Sequence, residues 1–383
     1  MSETWLPYGR QWVDGEDIQS VVDALSSEYL TTGPTVERFE QALAVYTGAS
    51  HTVVVNSGTS ALHAAYFAAG LKPGDEIITS PLTFAATANA ALYLGARVRF
   101  VDIQPDTGNL DPNLIEALIT ETTKLIVPVD FGGHPAEYDE INALARRYNI
   151  PVASDGAHSL GAAYRQRKVG ALADLTATSF HPVKLITTAE GGAVFTNNAD
   201  WARRAADFRN HGITRDPGKM QRCDGPWYYE MHDLGHNYRL TDIQCALGLS
   251  QMRKLDTFIA RRRDIAAAYT EALRNVPELI VPVVRDYVES SWHLYVIRVA
   301  GDPALRKPFF ERLRELGLGV QVHYIPVYYH PYYQSLGYEK GDCPNAEDFY
   351  ARSISLPIYP KMTDDDVRLA IERVERAVRE VLS

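Results

Sequence analysis

Short apolar runs alternate along the chain with longer stretches whose apolar residues recur every three or four positions. The runs are typical of buried strands, and the longer stretches are typical of helices that pack on them. Between residues 51 and 155 this alternation predicts five strands, at residues 51–56, 75–80, 97–101, 124–129 and 151–155. Strands that alternate with helices predict a mainly parallel sheet with helices on both faces.

Helices are predicted between these strands and in both terminal parts of the chain. Asp14 caps a predicted helix that reaches about residue 27, and Gly48 closes the next one. The other predicted helices lie at 57–70, within 81–95, from about 111, at 138–148, 197–210, from Thr241 to about 275, at about 303–316 and after Thr363. Residues 211–233 predict a loop or hairpin.

A domain boundary is expected near residue 255, where the long helix passes from one group of elements to the next. Residues 1–255 form the predicted large domain, which begins with an extended arm. Residues 256–383 form a smaller α/β domain, with predicted strands at 292–299 and 319–324 and a final amphipathic helix.

Composition narrows the class of protein. The chain has 383 residues and a net charge of −10, which argues against nucleic acid as a partner. Cys223, Cys245 and Cys343 are scattered, so we expect neither a metal site nor disulfides, and a cytoplasmic location. No apolar run approaches the roughly 20 residues of a membrane span, and the first residues do not predict a signal peptide.

Residues 175–197 predict a strand, a loop and a second strand, with Lys184 in the loop. A lysine held at the edge of a buried sheet loses its proton more easily and becomes a nucleophilic amine. The alternative is an ordinary lysine in a surface loop.

A candidate phosphate site follows the strand at 51–56. This strand leads into SGTS at residues 57–60, where a helix begins. The first N–H groups of a helix and its positive end favour an anion. The alternative is a Ser cap beside a glycine that only fits the turn. Ser80, Asp155 and Ser179 also follow predicted strands, so they are expected at the same edge of the sheet.

Lys184, Asp155, the phosphate site and the aromatic ring of Phe84 together suit pyridoxal 5′-phosphate (PLP). The cofactor needs a lysine to bind it, a carboxylate beside its pyridine nitrogen, a phosphate pocket and a stacking surface. Taken singly, Asp155 is equally explained as a capping residue, and the nearby His158 as a packed ring.

Six segments in order resemble the DegT/DnrJ/StrS family of sugar-nucleotide aminotransferases, which has the type I fold of PLP enzymes. They are NSGTSALH (56–63), TFAATANA (83–90), DGAHSLGA (155–162), SFHPVKLITTAEGGAVFTN (179–197), GHNYRLTDIQCALG (235–248) and VQVHYIPVYYHPYY (320–333). The resemblance covers essentially the whole chain and implies a PLP-dependent transaminase.

The resemblance also implies a role for each matching residue. Lys184 matches the Schiff-base lysine, which also moves the proton, and Asp155 matches the partner of the pyridine nitrogen. The other matches to cofactor-binding positions are Phe84 on the ring and Gly58, Thr59 and Ser179 at the phosphate. His158 stands where many relatives have Gln, near the cofactor hydroxyl. Both side chains can donate a hydrogen bond.

Asn237 matches a residue that reaches the cofactor phosphate of a neighbouring subunit. This match implies a homodimer with shared active sites.

The branch of the family that serves pseudaminic acid synthesis is the most similar. It implies transfer of an amine from L-glutamate to C4 of a UDP-linked 4-keto-6-deoxy sugar. The residues expected at the sugar or nucleotide are Tyr8, Glu28, Tyr29, Leu30, Thr31, Gln321, His323, Tyr324 and Tyr332. For the tyrosines, an interface or core patch is the alternative.

Three other functions stay open. The chain could act on a different keto sugar nucleotide, such as GDP-4-keto-6-deoxymannose or a UDP-4-keto-pentose. A PLP-binding sensor would keep the fold without turnover. A Rossmann-type nucleotide-binding module would need GxGxxG after the first strand, where this chain has SGTS.

Overall fold

The computed structural model describes residues 5–382, so the first four residues of the predicted arm lie outside it. Its strands are β1 (His51–Val55), β2 (Glu76–Thr79), β3 (Arg97–Phe100), β4 (Thr123–Val127), β5 (Ala153–Asp155), β6 (Ala163–Tyr164), β7 (Arg167–Lys168), β8 (Leu175–Ser179), β9 (Gly192–Thr196), β10 (Ile213–Thr214), β11 (Glu230–Met231), β12 (Leu279–Ile280), β13 (Val288–Glu289), β14 (Tyr295–Val299) and β15 (Ser353–Leu356).

Helices surround these strands. They are α1 (Gly15–Leu25), α2 (Pro34–Thr47), α3 (Gly58–Ala69), α4 (Ala86–Tyr93), α5 (Pro112–Ile115), α6 (Tyr138–Tyr148), α7 (Ala199–Arg209), α8 (Asp242–Met252), α9 (Leu255–Leu273), α10 (Arg306–Glu315), α11 (Pro331–Ser335), α12 (Pro344–Arg352) and α13 (Asp364–Val381). Among residues 5–382, no helix has both the length and the apolar character that crossing a membrane requires.

The central sheet joins two groups of strands, in the orders β1-β9-β8-β5 and β4-β2-β3. Parallel bridges from Ile126 to Val152 and from Val129 to Asp155 connect the groups. Within this sheet β9 alone runs against its neighbours. The prediction of a mainly parallel sheet is therefore confirmed, and the carboxyl ends of the other strands meet at one edge.

A smaller antiparallel sheet, β12-β14-β15, lies in the C-terminal part of the chain. Its apolar face packs with α9, α10 and α13 in one buried cluster, and Leu6 of the N-terminal arm joins that cluster. The arm is also held by the amide of Leu6, which donates to the Gly317 carbonyl at 2.9 Å. The domain boundary near residue 255 stays a prediction.

Two of the secondary-structure predictions are wrong. Residues 319–324 do not form a strand: only Gln321 pairs, in a single bridge to Ser355, and the edge strand is β15. The long helix predicted to about residue 275 is two helices, α8 and α9. Lys254 lies at the break and forms ion pairs with Asp14 and Asp17 of the first helical segment, a long-range contact that the local pattern does not contain.

Candidate active site

A cavity of about 350 Å³ opens at the carboxyl edge of the central sheet. It collects side chains from the ends of β1, β5 and β8, from the loop before β9, from the arm and from residues 323–324. Ten residues named from the sequence line it: Tyr8, Gly58, Thr59, Phe84, Asp155, His158, Ser179, Lys184, His323 and Tyr324.

Lys184 lies in the loop between β8 and β9, where its amide donates to the carbonyl of His181 at 2.9 Å. Its side chain is half-buried and lines the cavity. Burial lowers the pKa of the Lys184 amine to about 8, while the charge of Asp155 acts in the opposite direction. An amine with this pKa is available in its neutral, nucleophilic form near neutral pH.

Asp155 ends β5 and is buried. One carboxylate oxygen accepts the hydroxyl of Thr87 at 2.6 Å, and the other accepts the amide of Ala157 at 3.1 Å. Burial raises the pKa of Asp155, whereas these two hydrogen bonds and Lys184 lower it. The carboxylate is thus fixed in place at the floor of the cavity.

The start of α3 forms a cradle in the cavity wall. Ser57 caps the helix, since its side chain accepts the amide of Ser60 at 3.0 Å. The next two residues, Gly58 and Thr59, begin the helix, where the backbone N–H groups have no intrahelical acceptor. A Cβ on Gly58 would lie 2.8 Å from the Cβ of Ser179. Only a glycine therefore lets the helix start pack this closely against Ser179, and both residues line the cavity that an anion would enter.

Aromatic rings form the remaining walls. The Phe84 side chain is 63% exposed and presents its ring to the cavity, with the Tyr324 ring centroid 6.3 Å away. Tyr8 enters from the arm, 5.6 Å from the ring of His323. Burial lowers the pKa of His323 to about 3, so this imidazole is neutral at physiological pH.

The other residues named from the sequence lie outside this cavity and are exposed. They are Glu28, Tyr29, Leu30, Thr31, Asn237, Gln321 and Tyr332. Tyr29 lines a separate open cavity of about 600 Å³, together with Arg209 and Arg239. A single chain therefore does not bring these residues to Lys184.

Sequence reasoning missed Thr87, which does not line the cavity but holds Asp155. Its spacing of four from Thr83 was the available signal, and their hydroxyls lie 2.7 Å apart. It also gave no role to ten residues that line the cavity: Leu62, Thr83, Ala86, Val129, Ala157, Ala177, Thr178, His181, Val183 and Glu190. Most of these are small or apolar residues, whose types carry no chemical signal.

These features define the class of protein. The helix start at Gly58 fits a phosphate, the buried Asp155 carboxylate fits a pyridine nitrogen, and the Lys184 amine fits an aldehyde. A cavity with this donor set, at the edge of a mainly parallel sheet, is that of a PLP-dependent enzyme of fold type I.

Comparison with known proteins identifies the family. The profile of the DegT/DnrJ/EryC1/StrS aminotransferase family matches residues 11–375, so the chain belongs to that family. It is 43% identical over 367 residues to the UDP-4-amino-4,6-dideoxy-N-acetyl-β-L-altrosamine transaminase of Campylobacter jejuni, covering 95% of each chain.

Solved structures show the same similarity. PseC of Helicobacter pylori, an aminotransferase in the biosynthesis of pseudaminic acid, superimposes with a TM-score of 0.92 at 36% identity, covering 98% of this chain and all of that one. The putative sugar aminotransferase Spr1654 of Streptococcus pneumoniae, solved in a PLP-form, superimposes with a TM-score of 0.92 at 32% identity. The match covers 99% of this chain and 100% of that one. A PMP-form of Spr1654 has the same TM-score, and the match covers 99% of this chain and 98% of that one.

The chain is therefore a transferase of the sugar aminotransferase type, and PLP is the cofactor of its family.

Proposed function

We propose that this chain transfers the amino group of L-glutamate to C4 of UDP-2-acetamido-2,6-dideoxy-4-keto-L-arabino-hexose. The product is UDP-4-amino-4,6-dideoxy-N-acetyl-β-L-altrosamine. The observation that carries the proposal is that Lys184 and Asp155 line one cavity beside the Gly58 cradle. The 43% identity to a relative of that activity supports the choice of sugar.

The proposed roles follow from this geometry. Gly58, Thr59 and Ser179 hold the cofactor phosphate, and Phe84 covers its ring. Asp155, fixed by Thr87, keeps the pyridine nitrogen protonated. When bound, PLP accepts the electrons that remain when a C–H bond beside nitrogen breaks.

Lys184 is the residue proposed to move protons. It takes the proton from Cα of glutamate and later returns one to C4 of the sugar. Because the lysine sits on one wall of the cavity, it delivers that proton to one face only. A pKa near 8 suits both directions of transfer, since amine and ammonium are both accessible.

The proposed substrate contacts come from two groups of residues, one inside the cavity and one outside it. Tyr8, His323 and Tyr324 line the cavity and are proposed to contact the sugar. The exposed residues Glu28, Tyr29, Leu30, Thr31, Gln321 and Tyr332 lie outside it and are proposed to contact the nucleotide.

A homodimer is part of the proposal. Large apolar side chains are exposed in the segment that precedes Asn237 in the sequence, among them Trp227 at 72% and Leu234 at 82%. Exposed apolar groups of this size mark interaction surfaces. In the proposed dimer, Asn237 reaches the cofactor phosphate of the second copy. A cytoplasmic location is proposed with it, in keeping with three unpaired cysteines.

The substrate is tested with purified, PLP-loaded protein and L-glutamate, offered UDP- and GDP-linked 4-keto sugars in parallel. Nuclear magnetic resonance of the product gives the sugar and the configuration at C4. The proposal expects preference for the UDP-linked 6-deoxy substrate by at least tenfold in kcat/KM, the scale on which one lost contact discriminates. Preference for a GDP-linked sugar or a pentose would refute the proposed substrate, while the chain would still be a sugar aminotransferase. Absence of turnover on all of them, with PLP bound, would favour the sensor.

A further inference from the structure

His158 and Tyr324 form a hydrogen-bonded pair in the cavity wall. The Nε2 atom of His158 lies 3.0 Å from the hydroxyl of Tyr324, and the two rings are within 17° of parallel. His158 is 5% exposed, whereas Tyr324 is half-buried. The two residues come from distant parts of the chain, and both line the cavity.

The surroundings of His158 determine which ring nitrogen carries its proton. Burial, with Lys184 and His323 nearby, lowers the pKa of His158 well below its usual value, so the ring is neutral and has one N–H. Its Nδ1 atom is buried and has no hydrogen-bond partner among residues 5–382. Among backbone groups, a buried N–H without an acceptor is rarer than a buried acceptor without a donor. The same preference applied to the ring favours the tautomer with the proton on Nε2, which donates it to the oxygen of Tyr324.

The proton of Tyr324 is then available for another partner. Burial, with Asp155 nearby, raises the pKa of Tyr324, so its hydroxyl keeps the proton. Because the hydroxyl oxygen accepts from His158, its O–H is free to donate elsewhere. The side chain lines the cavity, so a bound molecule can supply the acceptor.

We propose that His158 is a positioning residue, and that Tyr324 donates its hydroxyl proton to an acceptor oxygen of the molecule in the cavity. His158 thus acts through Tyr324, because its Nε2–H is used in that bond, although its ring also lines the cavity. The acceptor is an anionic oxygen, either the phenolic oxygen of the cofactor or a carboxylate of the amino donor. The inference rests on the proposed function in one respect, that the cavity takes PLP and then glutamate.

The protein behind His158 holds the pair in place. The His293 ring lies against His158, with centroids 4.4 Å apart. Ser291 donates its hydroxyl to the His158 carbonyl at 2.7 Å. The titratable groups that face the pair are Lys184, Asp155, His293, His323 and Tyr8. The pKa of His293 is also lowered by burial, so neither imidazole of this pair carries charge.

The test uses the full chain in five forms: unaltered, Tyr324→Phe, His158→Ala, His158→Gln and the double variant His158→Ala/Tyr324→Phe. Two quantities are measured on each. The first is the dissociation constant of PLP, with the pH midpoint of its visible band, in the absence of donor. The second is the dissociation constant of L-glutamate, from bleaching of that band. Thermal unfolding of the cofactor-free proteins checks the fold.

We expect Tyr324→Phe to weaken one of the two dissociation constants about tenfold, the scale of a hydrogen bond to a charged oxygen. The double variant should bind PLP and glutamate no more weakly than Tyr324→Phe, because His158 affects binding only through Tyr324. His158→Gln should bind like the unaltered chain, since its amide N–H can replace Nε2–H. A change in PLP binding or in the pH midpoint assigns the cofactor oxygen, and a change confined to glutamate assigns the donor carboxylate.

Two results would overturn the inference. One is a Tyr324→Phe protein unchanged in both constants. The other is a double variant whose loss equals the product of the single losses, which means independent action. If His158→Ala does not fold, His158→Gln is compared with Tyr324→Phe instead. Tenfold weaker binding by His158→Gln, with unchanged binding by Tyr324→Phe, would contradict the inference. An unaltered chain that takes up no PLP would refute the proposed function instead.

Discussion

The hydroxyl of Thr87 donates a 2.6 Å hydrogen bond to Oδ2 of Asp155. Thr87 lies in the first turn of α4, and Asp155 ends β5, so the bond joins two βα units at the cavity floor. The Thr83 hydroxyl lies 2.7 Å from that of Thr87 and extends the chain of contacts. The Thr87 hydrogen bond lowers the pKa of the Asp155 carboxyl and so offsets part of the rise that burial causes.

Replacing Thr87 with Val should weaken PLP binding. Valine keeps the shape but removes the hydrogen bond, so the pKa of Asp155 rises further and its carboxylate favours the pyridine nitrogen less. We expect about tenfold weaker binding, measured by equilibrium dialysis against free PLP. Thr83→Val, one contact further from Asp155, is the matched control and should have a smaller effect. Equal binding by Thr87→Val and the unaltered chain would show that this hydrogen bond does not matter.

Gly58→Ala should displace the helix start that forms the cradle. The added Cβ would lie 2.8 Å from the Cβ of Ser179, which is too close, so the helix start or β8 must move. PLP should bind about tenfold or more weakly, because several phosphate contacts depend on this geometry. Gly15→Ala is the control, since a Cβ there meets no atom within 4 Å. Phosphate competition against PLP separates the cradle from the ring contacts: the Gly58→Ala protein should lose inhibition by inorganic phosphate, and retained inhibition would contradict the account.

Sequence patterns predicted the central sheet well, because its strands and helices follow regular periods. The helix predicted at 138–148 matches α6 from end to end, and Asp14 and Thr241 cap helices as expected. Irregular segments were harder. Residues 319–324 have the composition of a strand, yet their backbone pairs only at Gln321 and otherwise forms the cavity wall around His323 and Tyr324.

The site was predicted in part. Residues with distinctive chemistry, such as Lys184, Asp155 and His158, line one cavity as predicted. They do so because they follow strands whose carboxyl ends share one edge of the sheet. The contact of Thr87 with Asp155 depends on how α4 meets β5, which local sequence does not express. The exposed positions of Asn237 and Tyr332 likewise depend on the tertiary fold.

The reaction of Lys184 with PLP should depend on pH with a midpoint near 8. Burial lowers the pKa of its amine to about 8, and only the neutral amine attacks an aldehyde. The rate at which cofactor-free protein develops its visible band should therefore rise through pH 8 and level off. Asp155→Asn should lower the midpoint, because the Asp155 charge raises the Lys184 pKa. A rate that keeps rising to pH 10 would indicate an exposed lysine.

The same shift affects stability. Between about pH 8 and 10.5 the unfolded chain keeps the lysine proton that the folded chain has lost. The contribution of this lysine to the free energy of unfolding therefore rises with pH across that window. Lys184→Met in the cofactor-free protein should remove this contribution, as measured by urea denaturation at pH 8 and pH 10. An identical pH dependence in both proteins would argue against a Lys184 pKa that is lowered in the folded protein.

Shared active sites can be tested by mixing two inactive variants. In the proposed dimer, each site uses Lys184 of one copy and Asn237 of the other. Lys184→Ala and Asn237→Ala, unfolded and refolded together in equal amounts, should recover about a quarter of the intact sites, because half of the dimers are mixed and each has one complete site. Each variant refolded alone is the control. No recovery, in a mixture shown to contain mixed dimers, would place Asn237 outside the site of its partner.

The most direct measurement is the visible spectrum of PLP-treated protein before and after L-glutamate, compared between the unaltered chain and Lys184→Ala. If Lys184 binds the cofactor and moves its protons, the unaltered protein has a visible band that glutamate bleaches and a keto sugar nucleotide restores. The Lys184→Ala protein, folded as judged by its unfolding temperature, should not complete that cycle. A Lys184→Ala protein that bleaches and recovers at the normal rate, or an unaltered protein without a band, would contradict the account.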